Sequence, residues 1–62
     1  QRPDRIVMKD GRITVIDYKF GNEDDNHKGQ VKNYMRLLRK LYPGHTVKGY
    51  LWYVKLGRTE EV

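Results

Sequence analysis

Ile13-Thr14-Val15-Ile16-Asp17-Tyr18-Lys19 is the stretch on which the reading of this 62-residue chain turns. It is rich in β-branched and aromatic residues, the composition of a strand. Successive side chains of a strand point to opposite faces. Ile13, Val15 and Asp17 therefore share one face, and Thr14, Ile16 and Tyr18 the other. Asp17 and Lys19, two residues apart, project together from the polar end of an otherwise apolar strand. Just upstream, Asp10-Gly11 is the dipeptide of a tight hairpin turn. Before it, Arg5 to Lys9 is a short run containing Ile, Val and Met. The two runs, Arg5 to Lys9 and Arg12 to Lys19, predict an antiparallel hairpin.

Downstream, Phe20 to His27 holds a glycine, two asparagines and three acids, and reads as a polar loop, either a flap beside the strand end or plain solvated chain. Glu23, Asp24 and Asp25 offer oxygen ligands, but not at the spacing of an EF-hand loop. From Lys28 to Leu41 the period becomes helical. Val31, Tyr34, Met35, Leu38 and Leu41 or Tyr42 recur every three or four residues as one apolar stripe. Pro43-Gly44 stops the helix. Val47 to Lys55 predicts a third strand buried on at least one side, with Trp52 in the core. Leu56-Gly57-Arg58 is a turn signal, and Thr59 to Val62 a short edge strand. The fold class is α/β (α+β): a β-hairpin, a helix crossover and a strand, in the order β-β-α-β with the edge strand after it. A strand, helix, strand crossover makes the two strands parallel neighbours with a right-handed connection. There is no internal repeat, low-complexity tract or linker.

Composition narrows the function classes. A chain this short buries only about 60% of its unfolded surface, and there is no cysteine to staple it or to bind zinc. No apolar run approaches the ~18 residues of a membrane span, so no membrane partner is expected. The first residue is Gln rather than Met, which reads as a piece of something longer. The net charge is +5. Lys28, Lys32, Arg36, Arg39 and Lys40 fall between Lys28 and Tyr42 with no acid among them, and the remaining charges balance. The whole excess sits on the predicted helix. It is either the docking face for an anionic partner or an ordinary solvated face.

Asp4, in Arg2-Pro3-Asp4-Arg5, lies thirteen residues before Asp17, at the start of the preceding strand. Two carboxylates and a lysine converging at a sheet rim can hold a divalent cation and a water, the equipment for cutting a phosphodiester. Gln30 and Tyr34 are one helical turn apart and share a face. Tyr34 is equally a core aromatic of the apolar stripe. Lys28, Lys32 and Arg36, four residues apart, form a basic line suited to phosphate contacts without sequence preference. His27 reads as a solvated loop histidine, and His45, in a turn, has no role.

Asp4, then Asp17-Tyr18-Lys19, then Gln30-Val31-Lys32-Asn33-Tyr34 resemble the Asp, Asp-x-Lys and Gln-x-x-x-Tyr motifs of the PD-(D/E)XK nuclease superfamily. Within it, the chain is similar to the RecB-like nuclease domains at the C-terminus of RecB and AddA helicase-nucleases of the UvrD/Rep type. The resemblance covers nearly all of residues 1–62, read as one partial domain. It implies a restriction-endonuclease-like core and a DNA exonuclease acting in double-strand break repair and recombination. The implied metal is Mg²⁺, with Mn²⁺ as a substitute, held by Asp4, Asp17 and the Tyr18 backbone carbonyl. Lys19 would be the catalytic cation, Gln30 and Tyr34 would complete the site, and Lys28, Lys32 and Arg36 would hold DNA. It further implies an ATP-driven helicase region in the same polypeptide, a possible second helicase-nuclease subunit, and a bacterial cytoplasmic setting. The family places a further His or Glu on a helix ahead of this segment, and often Thr where Phe20 stands. A non-catalytic DNA-binding or scaffold module that keeps the nuclease fold is the alternative.

Overall fold

Asp10 and Gly11 both take the left-handed backbone, with φ of 52° and 78°. Two consecutive positive φ values match the twist of the flanking strands and close a two-residue hairpin. In the computed structural model, which describes residues 3–62 except for the side chain of Asp25, this turn joins β1 (Arg5–Lys9) to β2 (Arg12–Lys19). The register runs from Lys9 opposite Arg12 to Arg5 opposite Ile16. Arg2 of the Arg-Pro-Asp motif lies outside the described residues.

Helix α1 (Asp25–Leu41) begins three residues before the expected Lys28. Asp24 explains the difference. Its carboxylate accepts from the Asn26 N–H at 2.9 Å, satisfying a first-turn donor that has no partner within the helix. Asp25, Asn26 and His27 thus belong to the helix, and the polar loop ends at Asp24. At the other end the Tyr42 N–H donates to the Leu38 carbonyl at 2.9 Å, and the chain turns through Pro43-Gly44. Strand β3 (Thr46–Tyr53) starts one residue before the expected Val47 and stops two before Lys55, because the chain turns at Val54 to Gly57. Gly57 there has φ 62°, and β4 (Arg58–Glu61) follows.

The sheet order is β1-β2-β3-β4, with β2 and β3 parallel as the crossover requires and both outer pairs antiparallel. Helix α1 packs over β3 and β2. Ile13 and Val15 of β2, Val47, Leu51 and Tyr53 of β3, and Val31, Met35 and Leu38 of α1 form the core. Gly49 lets the helix come this close: a Cβ there would lie 2.5 Å from Met35 Sδ and 2.7 Å from Val31 Cγ1. Of the expected stripe, Tyr34 is only half-buried and Tyr42 is exposed, and two further expected core residues are outside the core. Leu41, in the last helical turn, is 63% exposed. Trp52 is 42% exposed, because strand alternation turns it away from the helix when its neighbours Leu51 and Tyr53 are turned in. Its ring rests instead on Tyr18 of β2, 5.5 Å between centroids. No described helix is long and apolar enough to cross a membrane.

Candidate active site

The alternation that buries Ile13 and Val15 beneath α1 carries Asp17 and Lys19 to the same side. There the apolar core gives way to polar side chains. Lys19 Nζ lies 3.0 Å from Asp17 Oδ2. It also donates to Gln30 Oε1, one turn into α1, at 3.5 Å. Strand β1 pairs only as far as Arg5, opposite Ile16, so Asp4 stands just beyond the ladder. Its Oδ2 accepts the backbone N–H of Tyr18 at 2.8 Å. Asp4, Asp17, Tyr18, Lys19 and Gln30 are thereby gathered at one end of β2. Tyr34, half-buried, shares an open cleft with Pro3, Asp4, Arg5 and Ile6.

The basic line is not part of this gathering. At 3.6 residues per turn, Lys28, Lys32 and Arg36 leave α1 on the flank away from Gln30 and Tyr34. Lys28 forms an ion pair with Glu60 on β4, and Arg36 Nη1 donates to Asn33 Oδ1 at 3.4 Å. Lys32 is exposed. The helix thus presents one flank to the strand end and a cationic flank toward β4.

The pKa values of the two carboxyls are displaced in opposite directions. The Tyr18 N–H holds Asp4 below the ordinary carboxylate range, helped by Asp17 and by the charge of Lys19. Burial pushes Asp17 up, and the neighbouring Asp4 adds to this, against the lowering effect of Lys19. The exposed carboxylate is therefore firmly anionic, and the inner one carries the cost of charge in a partly dry place.

This donor set suits a hard divalent ion. Asp4 Oδ2 accepts the Tyr18 N–H, Asp17 Oδ2 pairs with Lys19, and the two carboxyls lie close enough to act on each other. The geometry that turns the Tyr18 N–H toward Asp4 brings its carbonyl to the same strand edge. Among the described residues no three Asp, Glu, His or Cys side chains cluster as metal ligands. A two-carboxylate site fits an ion that keeps several waters, as Mg²⁺ does, rather than an all-protein cage.

A mixed sheet with a helix over its central pair, and an Asp, Asp-x-Lys end on that pair, define a nuclease-type core. A family model for the PD-(D/E)XK nuclease superfamily matches residues 2–62, and the chain belongs to that superfamily. The structure is accordingly a restriction-endonuclease-like core, with one helix on a four-stranded mixed sheet. Membership implies a nuclease acting on DNA, in a superfamily whose members generally use divalent metals. No curated protein and no solved structure matches the chain.

Sequence reading missed one pair beside this site. His27 is half-buried in the first turn of α1, and its Nδ1 lies 3.4 Å from the Tyr53 hydroxyl. Asp24, an N-cap residue preceding the apolar stripe, was the signal that could have moved His27 into the helix.

Proposed function

We propose that this chain is the core of a RecB-like, Mg²⁺-dependent DNA exonuclease, part of a bacterial cytoplasmic helicase-nuclease that processes double-strand breaks. The observation that carries the reading is the polar cluster at the end of β2. Within 3.5 Å contacts it joins Asp4 to the Tyr18 backbone, and Lys19 to both Asp17 and Gln30. The sequence adds Gln-x-x-x-Tyr on the helix flank that faces the cluster.

Asp4, Asp17 and the Tyr18 carbonyl would hold the ion. When bound, it supplies an acidified water and neutralises charge on the phosphate. Asp4 is positioned by a backbone N–H, so the strand itself fixes its carboxylate. Lys19 supplies a cation at the scissile phosphate, where a preorganised charge in a partly dry site stabilises a developing oxyanion. Gln30 restrains the long Lys19 side chain. The Lys28, Lys32 and Arg36 flank would contribute to phosphate contacts away from the chemistry.

The deciding experiment is hydrolysis of linear DNA with Mg²⁺ by the chain and by Asp17→Ala and Lys19→Ala. Cleavage abolished by either substitution and by chelation supports the reading. Cleavage surviving in Asp17→Ala overturns the site. Metal-independent DNA binding without cleavage would instead make the chain a binding module on the nuclease fold.

A further inference from the structure

Tyr53 is 1% exposed, yet it carries a hydroxyl that phenylalanine would not. A buried hydroxyl costs free energy unless it is hydrogen-bonded, so its partner matters. That partner is His27 Nδ1, with the rings 6.0 Å apart. Tyr53 is the β3 residue in register with Lys19, on the same face of the sheet. His27 and Gln30 are three residues apart in the first turns of α1 and share a face. Two neighbouring sheet residues, Lys19 and Tyr53, are therefore held by two neighbouring helix residues, Gln30 and His27.

We propose that Tyr53 and His27 are positioning residues of the nuclease site: the Tyr53–His27 contact fixes the first turn of α1 so that Gln30 stays on the Lys19 ammonium. This rests on the proposed function for its chemical meaning but not for its geometry. Lys19 has two competing partners, Asp17 at 3.0 Å and Gln30 at 3.5 Å. Loss of the second leaves the ammonium held by Asp17 alone, so its position is no longer set by the helix. Arg58 also faces the Tyr53 ring, 6.0 Å from its centroid, but its charge is paired with Glu23 and Glu60.

Tyr53→Phe keeps the core volume and removes only the hydroxyl. The test reads the Lys19 Nζ and Gln30 side-chain amide signals of the isotopically labelled chain by NMR, assigned with Lys19→Gln. Both signals are expected to move in Tyr53→Phe and in His27→Ala, with no further movement in the double variant, and to return in His27→Gln. Where the chain cleaves DNA, kcat falls about tenfold with KM unchanged, the low end of what outer-shell partners cost. Unmoved Lys19 and Gln30 signals in a folded Tyr53→Phe, or additive movements in the double variant, overturn the proposal. A chain with no nuclease activity defeats the functional reading alone, because the spectra still decide the contact.

Discussion

Gln30 and Tyr34 leave α1 on one flank, and Lys28, Lys32 and Arg36 leave it on the other. The first flank meets the end of β2, where Lys19 is shared between Gln30 and Asp17 at 3.5 and 3.0 Å. The second faces β4 and solvent, where Lys28 answers Glu60 and Arg36 answers Asn33. Identical helical geometry therefore serves two kinds of electrostatics. On the strand-end flank, direction and distance matter, because the groups are partly dry and share partners. On the cationic flank only the count and sign of charges matter, because water screens them over about 8–10 Å at ordinary salt.

The comparison breaks most sharply in activity. Lys19→Ala and Asp17→Asn should each lower kcat by about 10²–10³, the usual loss when one preorganised group at a developing charge is removed. Charge reversal of Lys32 and Arg36 together should leave kcat in place. It should weaken DNA binding and lower the slope of log affinity against log salt by about 2, one for each phosphate contact. Filter binding across a salt series, beside single-turnover cleavage, separates the two flanks. A kcat lost through the cationic flank would show that the division is wrong.

Next in size is a test that moves both flanks together. Gly49 is where β3 admits the helix, and a methyl there meets Met35 and Val31. Met35 can yield, but β-branched Val31 has little rotamer freedom. Gly49→Ala should cost about 1–3 kcal/mol by overpacking, measured by urea unfolding. Gly49→Val should cost more. A neutral Gly49→Ala would mean that α1 lifts easily off the sheet, and the fixed strand-end geometry would lose its support.

The hairpin and the site strand were legible because each rests on a local signal. Asp10-Gly11 demands positive φ, and the Ile13-to-Lys19 alternation assigns faces. The parallel pairing of β2 and β3 followed from a helix standing between two strands. The helix starts earlier than its composition suggests, because the acids and asparagines of Phe20 to His27 have the character of a loop while Asp24 is a capping residue. Trp52 is not core although a large aromatic on a strand suggests it, because the register with Tyr18 that places it on the uncovered face is a long-range fact. The opposition of the basic line to the site could have been worked out from helical phase alone. The Tyr53–His27 contact could not, since it joins residues 26 apart in sequence.

The smallest expected effects lie within the strand-end flank, between its two carboxylates, and they have opposite signs. Asp4 is held below the ordinary carboxylate range by the Tyr18 N–H. Its ionised form is favoured by folding, so its contribution is full above an unfolded value of about 3.9 and is lost as pH falls through its lower folded value. Asp4→Asn keeps a carbonyl acceptor but removes the charge that strengthens the bond. Its melting temperature should be lower than that of the parent chain at neutral pH, with the gap closing in acid. Asp17 is raised, chiefly by burial, so its ionisation opposes folding at neutral pH. Asp17→Asn should therefore melt above the parent at pH 7. That advantage should shrink as pH falls through the raised value and the parent protonates. The Asp4 difference is small, since that carboxylate is exposed and screened. Thermal melts of the three proteins from pH 2 to 7 give the signs directly. An Asp17→Asn that melts below the parent at pH 7 would mean that Lys19 outweighs burial, and Asp17 would be a stabilising ion-pair partner rather than a carboxylate whose charge opposes folding.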